Sequence, residues 1–292
     1  MIKYHSINGQ FVPKQEAVVS LSDLGLQRAY AIFDYFKVTQ GKPVFVDDYL
    51  ERFYDSSAAI SLDIPMTKEQ LKSHIFEFIA ANQVEEAGIK LLLTGGDTED
   101  GYTYQQSKLM VYGMAQINYP AHLMASGIKL MSYNYEREVP EIKTTNYAVS
   151  IMLRHQMEAM DAKDLLYFKY GVITESARSN VFIVKNDGTL VTPARNILYG
   201  ITRKRIIEIA RALSLKVELR DITTEETIEA KEIFITSSGK GALAITQIDD
   251  FIIGNGKPGE NDSPHGQTLP RARPRVRGNK LSYRTIEYWQ SL

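Results

Sequence analysis

Residues 140–147, Pro-Glu-Ile-Lys-Thr-Thr-Asn-Tyr, and residues 173–182, Ile-Thr-Glu-Ser-Ala-Arg-Ser-Asn-Val-Phe, decide how this chain reads. Lys143 falls at an expected strand end just ahead of an expected helix, where a lysine can reach into a cleft. Glu175 falls near the end of a later strand and offers a carboxylate to face it. An amine forms an imine with a carbonyl only while partly unprotonated, a state that burial and neighbouring positive charge favour. The pair therefore points to Schiff-base chemistry; its bland alternative is two solvated surface charges.

Pyridoxal 5'-phosphate, a cofactor that reacts in this way, also needs a carboxylate beside its ring nitrogen, because the protonated ring is what draws electrons from the substrate carbon. Glu175 is the candidate for that group. Four ordered blocks add to the pair: IKTTNY at 142–147, ITESARSNVF at 173–182, LYGITRKRI at 198–206 and FITSSG at 234–239. Together they resemble the class IV aminotransferases, the fold-type IV pyridoxal-phosphate enzymes that include branched-chain and D-amino acid aminotransferases and aminodeoxychorismate lyase. The stretch DDYLERFYDSSAAISLDIP at 47–65 is similar as well, so the likeness runs from there to about Gly259.

The resemblance implies an α/β (α+β) fold of two domains, a small N-terminal α/β domain and a larger, β-barrel-like α/β domain that binds the cofactor. On the sequence these fall at residues 1–115 and 123–258, with a linker at 116–122 where one sheet pattern stops before another begins. The resemblance also implies roles. Lys143 holds the cofactor as an imine and shuttles the proton, Glu175 meets the ring nitrogen, and Leu198 packs on one face of the ring. Arg52 binds the phosphate, a task suited to the planar donor fork of a guanidinium; its alternative is a surface pair with Glu51 or Asp55. Gly200, Ile201 and Thr202 open a helix whose free amides and dipole also suit a phosphate, although Thr202 as an ordinary cap explains the same pattern. Ser237, Ser238 and Gly239 complete the cradle. Tyr147, close behind the lysine, is positioned either to hydrogen-bond the phenolic oxygen of the cofactor or to pack in the core.

Composition sets the outer bounds. The chain has 292 residues, 44% hydrophobic, with formal charge -1 and no cysteine. That length suits one large domain or two modest ones. The balanced charge gives no reason to expect nucleic acid or an acidic membrane as partner. Without cysteine, disulfides, thiolate metal sites and cysteine nucleophiles are excluded, and no metal site is read. The start, MIKYHSINGQF, lacks a signal-peptide pattern, and no window is long and apolar enough to span a bilayer. The expectation is a soluble, cytoplasmic protein.

Local signals place the remaining elements. Asn8-Gly9 between alternating residues predicts a hairpin over 2–13. Strands are expected at 17–21, 31–38, 89–94, 108–114, 128–133, 164–168, 181–184, 190–192, 232–236, 242–247 and 251–253, and helices at 47–60, 146–162 and 201–213. Thr67-Lys68-Glu69-Gln70 is a capping box opening another helix, and Thr223-Thr224-Glu225-Glu226 caps a further one. From Gly259 to residue 292 the chain departs from the family. Its segment up to Lys280 is rich in proline, arginine and glycine, which predicts a disordered tail; a basic interaction tail is the alternative.

Substrate choice rests on departures from the family pattern. Phe33 stands where the D-amino acid enzymes have a tyrosine, and the loop GGDTEDGYTYQQ at 95–106 holds neither arginine nor histidine. Asp100 precedes Gly101-Tyr102 where the folate-pathway lyase carries an arginine, and a negative charge there opposes a dicarboxylate. Phe33 and Asn146-Tyr147 are closer to the branched-chain group. Lys90 and Arg28 are candidate substrate cations, with Phe33 and Tyr102 as candidate pocket residues. Arg178, beside Glu175 in sequence, is left undirected by strand alternation. The expected activity is amino transfer from a hydrophobic or branched-chain amino acid to a 2-oxo acid, in a homodimer. A pyridoxal-phosphate lyase and a non-catalytic binding protein on the same scaffold are the alternatives.

Overall fold

The computed structural model describes residues 2–259. The tail expected beyond Gly259 therefore lies outside the described residues. Among the described residues, no helix is long and apolar enough to cross a membrane. The chain divides into two compact units: Met1–Asn118 with Val139–Tyr147, and Tyr119–Glu138 with the chain from Ala148 onward.

The first unit is built on an antiparallel sheet. Strands β1 (Tyr4–Ile7) and β2 (Gln10–Pro13) form a hairpin with Ile7 opposite Gln10. Asn8 and Gly9 both take positive φ, 47° and 83°, as a tight turn matched to strand twist requires. Helix α1 (Leu24–Arg28) follows, capped by the Asp23 carboxylate, which accepts from Gly25 N at 2.7 Å. Then come β3 (Ala31–Thr39), β4 (Lys42–Pro43), α2 (Val46–Ala59), α3 (Lys68–Asn82), β5 (Ala87–Thr94) and β6 (Lys108–Met114). The strand order is β2-β1-β6-β5-β3-β4. At the start of α3 the capping box closes both ways: Gln70 N donates to Thr67 Oγ1 at 3.2 Å and Thr67 N to Gln70 Oε1 at 2.8 Å. Helices α2 and α3 pack on each other, α2 against β3 and α3 against β1, with Leu50, Phe53, Leu71, Ile75 and Phe78 fully buried.

Two expectations for this unit are corrected. Residues 17–21 are not a strand. Val18 and Leu21 stand 70% and 83% exposed, and an apolar run becomes a strand only where a sheet edge receives it. The second correction concerns Lys143, expected at a strand end in the second domain. It belongs to the first unit and sits on an irregular stretch; the preceding strand ends at Asn134. Beyond β4, which pairs only with Val38 and Thr39, the outer edge of β3 still needs partners. Residues 142–145 supply them: Phe33 N donates to Lys143 O at 2.9 Å, Thr145 N donates to Ala31 O at 3.1 Å, and Thr144 bridges Ile32.

The second unit opens with α4 (Ala121–Ser126), which begins inside the stretch expected to be a plain linker. It continues through β7 (Ile128–Asn134), α5 (Ala148–Met152), α6 (Arg154–Ala159), β8 (Asp164–Lys169), β9 (Val172–Ser176), β10 (Asn180–Val184) and β11 (Leu190–Thr192). Helix α7 (Ile201–Ala212), β12 (Val217–Leu219), β13 (Ile222–Thr223), α8 (Thr224–Ile228), β14 (Glu232–Ser237), β15 (Gly241–Ile248) and β16 (Phe251–Ile252) complete it. The single helix expected over 146–162 is instead two short ones, starting at Ala148 and parted at the buried Leu153. Thr145 is already bonded to β3, so the helix cannot begin earlier.

The strands of this mixed sheet run β12-β11-β10-β14-β15-β7-β8-β9-β13, with β16 beside β15. Laid flat at about 4.8 Å per step, its two ends would stand about 38 Å apart. Yet β12 ends at Leu219 and β13 begins at Ile222, three Cα steps that reach at most about 11 Å. The sheet must curl until its ends meet, which is the barrel-like form. Alternation then gives two faces. Val181, Ile183, Ile233, Ile235, Leu243 and Ile245 share one core, while Phe182, Val184, Phe234, Ala242 and Ala244 meet Ile206, Ile207 and Ala210 of α7 on the other. Phe182 and Phe234, direct partners in register, stack at 4.9 Å.

Candidate active site

In the first unit, one aromatic ring gathers most of the chemistry. Lys143 Nζ lies 4.8 Å from the Phe33 ring centroid, Lys90 Nζ lies 4.2 Å from it, and the Tyr147 ring centroid is 5.9 Å away. Phe33 is brought to Lys143 by the backbone bond from β3, and Lys90 by β5, the other neighbour of β3. Lys90 also faces Tyr112 at 5.8 Å, and burial pushes its amine below the ordinary lysine range. An ammonium over an aromatic face is attracted to it.

Arg52, on α2, pairs with Asp34. Its Nε and Nη2 donate to Asp34 on β3 at 2.9 and 2.6 Å, a bidentate pair with both side chains buried. Burial works against the guanidinium charge, but the Asp34 carboxylate outweighs it and raises the group above its ordinary value. The same guanidinium stands 5.4 Å over the Tyr49 ring.

Arg28 and the Gly101-Tyr102 stretch lie near each other elsewhere in the unit. Arg28 closes α1, and a Cβ placed on Gly101 would lie 3.7 Å from its Nη2; Tyr102, the next residue, is largely exposed. Asp100, expected as a repulsive charge, is taken up locally. Its carboxylate accepts from Thr98 Oγ1, Tyr102 N, Thr103 N and Thr103 Oγ1, which hold its acid well below the usual carboxylate range. Its role is to shape the loop.

In the second unit, Glu175 is 5% exposed and fixed at both oxygens. Arg137 Nε donates to Oε1 at 2.8 Å and Leu198 N donates to Oε2 at 3.0 Å. The carbonyl of Leu198 in turn accepts from Asn180 Nδ2 at 2.6 Å and from Gly200 N at 2.9 Å. This chain of bonds sets the entry to α7. Gly200 is its N-cap, with no side-chain cap at all, so Thr202 is not the cap. A Cβ on Gly200 would stand 2.1 Å from Asn180 Oδ1, which leaves glycine as the only fit. The turn at Ser237, Ser238 and Gly239 links β14 to β15, and Ser237 Oγ accepts from Lys240 N at 3.2 Å. Arg178, undirected by the sequence, is exposed.

The donor set of this unit fits a phosphorylated pyridine. Thr236 Oγ1 is buried and has no partner, an arrangement that costs free energy unless an acceptor fills it. Thr236 lies opposite Asn180 in register, and Asn180 reaches the α7 entry. An orphan hydroxyl, an uncapped helix start and a turn with two serines are what a phosphate satisfies. Glu175, acceptor at both oxygens, suits a protonated ring nitrogen.

Sequence reasoning missed Asp34, Arg137, Asn180 and Thr236. Asp34 carried a visible signal, an acid inside the apolar run AIFDYF that had to find a cation. Arg137 carried none, because its partner lies 38 residues away.

Comparison with known proteins covers most of the chain. The pattern of the amino-transferase class IV family matches residues 31–248. A putative branched-chain-amino-acid aminotransferase of Methanocaldococcus jannaschii is 30% identical over 263 residues, 87% of this chain and 91% of that protein. A D-alanine aminotransferase of Bacillus licheniformis is 26% identical over 257 residues, 86% and 90% of the two chains. Among solved structures, the branched-chain amino acid aminotransferase of Escherichia coli superposes with TM-score 0.82 at 23% identity, covering 89% of this chain and 91% of that one. A branched-chain amino acid aminotransferase from Thermoproteus uzoniensis, solved with norvaline, gives 0.79 at 24%, covering 86% and 89%. Another branched-chain enzyme, solved with pyridoxamine 5'-phosphate, gives 0.81 at 24%, covering 89% and 90%. At those identities the likeness to the solved structures concerns the fold.

Proposed function

The chain belongs to the class IV aminotransferases, and from that premise we propose that it moves an amino group from a hydrophobic amino acid to a 2-oxo acid, with Lys143 as the catalytic amine. Its cofactor is pyridoxal 5'-phosphate. When bound, that group supplies an electron-withdrawing ring that stabilises the carbanion left when the substrate α-carbon loses its proton.

The protein's own residues do the rest. Lys143 Nζ would hold the cofactor and, once released by the donor amine, would act as general base and acid toward the proton of the donor α-carbon. Phe33 and Tyr147 keep that amine on an apolar face; Lys90, with its amine lowered by burial, is the cation for the donor carboxylate. Arg28 and Tyr102 are assigned to substrate contact. Glu175 would accept from the protonated ring nitrogen, and Leu198 would pack on the ring. The amides of Ile201 and Thr202 beyond Gly200 and the turn Ser237-Ser238-Gly239 would hold the phosphate, and Arg52 is the guanidinium assigned to it. The aromatic wall around Lys143 supports a hydrophobic donor, with 2-oxoglutarate as the acceptor. A homodimer in the cytoplasm completes the proposal.

The observation that carries it is the buried Glu175 carboxylate, held at both oxygens by Arg137 and Leu198. A buried anion is costly to keep, and one oriented so firmly suits the protonated nitrogen of a ring. The test is reconstitution of the full chain with pyridoxal 5'-phosphate and a donor screen over L- and D-amino acids and aromatic amines. A lysine-bound absorption band, its loss in Lys143→Ala, and consumption of hydrophobic donors only when a 2-oxo acid is present are expected. Absence of the band, or a Lys143→Ala protein indistinguishable from wild type, sinks the proposal. Pyruvate release without an acceptor replaces it with elimination.

A further inference from the structure

Lys240 carries a charge that the reaction does not use. It is 7% exposed, directly after the Ser237–Gly239 turn. Its ammonium donates to Asp164 at the start of β8 and to Ser179 Oγ at 3.0 Å. Both partners are buried, at 3% and 6% exposure. Asp164 Oδ1 also accepts from Leu165 N at 2.9 Å, so the carboxylate is held by its own strand. Ser179 closes the tight turn between β9 and β10, with Ser176 N, one residue after Glu175, donating to Ser179 O at 2.8 Å. The remaining side of the ammonium faces the Tyr119 ring at 6.0 Å.

One nitrogen thus joins three segments that are distant in sequence: the β8 start, the turn that carries Glu175, and the turn assigned to the phosphate. A buried ion pair gives little net stability compared with apolar residues of the same volume, and its best-attested use is to fix one arrangement against others. Burial alone depresses the Lys240 amine, but Asp164 opposes it; burial likewise resists the Asp164 charge, and Lys240 brings that acid below its ordinary value. Arg178 is the other charge acting on both groups. A Ser-Ser-Gly turn has little stiffness of its own. The Lys240 backbone ties it from within by donating to Ser237 Oγ.

We infer that Lys240 is a positioning residue that locks the Ser237–Gly239 turn at a fixed distance from the Glu175 turn, so that phosphate and ring nitrogen are gripped at one spacing. This rests on the assignment of those turns to pyridoxal 5'-phosphate. The ammonium touches no reacting atom; it acts through the turn it anchors.

The test compares two probes on the full apo chain: pyridoxal 5'-phosphate, and pyridoxal, which lacks the phosphate. Wild type is set against Lys240→Met and against the double variant Lys240→Met/Asp164→Asn, which leaves no orphan charge. Expected is a drop of tenfold or more in the affinity ratio of phosphorylated to unphosphorylated probe in Lys240→Met. The double variant is expected to recover the thermal midpoint of the apo protein while the ratio stays low. An unchanged ratio in both variants, or a ratio restored in the double variant, overturns the inference, since a merely structural pair alters both probes alike. If Lys240→Met does not fold, the double variant alone decides between these results. A wild-type protein that captures neither probe on Lys143 refutes the assignment of the site itself.

Discussion

Replacing Gly200 by alanine should be among the most damaging single-methyl changes in the chain. The backbone there, at φ -64°, accepts any residue, so the whole effect is one of space. The added Cβ would stand 2.1 Å from Asn180 Oδ1, and Asn180 cannot swing aside cheaply. It is 4% exposed, and its Nδ2 donates to Leu198 O at 2.6 Å. Displacing it breaks a buried hydrogen bond, worth about 1–3 kcal/mol when a partner is left unsatisfied. Overpacking adds about 1–3 kcal/mol. The sum, about 2–6 kcal/mol, corresponds to a fall of roughly 3–10 °C in thermal midpoint for a chain of this size. Because Leu198 N also holds Glu175, cofactor retention should weaken with stability. The assay is differential scanning calorimetry of Gly200→Ala, Asn180→Ala and the double variant. Removing the Asn180 side chain makes room for the new methyl, so Gly200→Ala should cost less in that background by about 1 kcal/mol or more. A neutral Gly200→Ala, or equal costs in both backgrounds, refutes the steric argument.

Three further outcomes are expected. Asp34→Asn leaves the Arg52 guanidinium without its carboxylate and should destabilise the first unit by about 3–5 kcal/mol, measured by urea denaturation; a loss under about 1 kcal/mol would show that other partners suffice. His74 accepts or donates at Ser6 Oγ at 2.7 Å, and burial holds its pKa below 6.5 despite Glu77. The unfolded chain therefore binds the proton first, so stability is full above the ordinary histidine value and falls as pH drops toward the folded one. His5 is lowered in the same sense, so His74→Gln should reduce the slope of midpoint against pH without abolishing it, and an unaltered slope rejects the role. Lys90→Met should raise KM for the amino donor with kcat little changed, the mark of lost ground-state binding; a fall in kcat alone would move Lys90 to the chemical step.

What the sequence revealed follows the range of the forces involved. The Asn8-Gly9 turn, the Thr67 capping box and the strands β3, β5 and β6 were legible because neighbouring residues settle them. Residues 17–21 misled because nothing local says whether an edge awaits an apolar run. The helix expected from 146 failed for the mirror reason: the β3 edge claims backbone bonds up to Thr145. In the site, block patterns singled out Lys143, Glu175 and Gly200, but the groups that orient them come from far along the chain. Arg137 finds Glu175, Asp34 finds Arg52 and Asn180 finds Leu198 only after the strands have paired.

The loan of residues 139–147 to the first unit has a genealogical side. The backbone crosses from one unit to the other three times, after residues 118, 138 and 147. A single crossover between two related genes after residue 118 or 138 would graft a foreign lysine-bearing stretch onto a β3 edge shaped for another, whereas one after 147 leaves the two together. Recombination that keeps Lys143 seated on β3 must carry residues 31–39 and 139–147 as one inheritance, so change at this site should accumulate by point substitution, with chimaeras tolerated only when both pieces travel together.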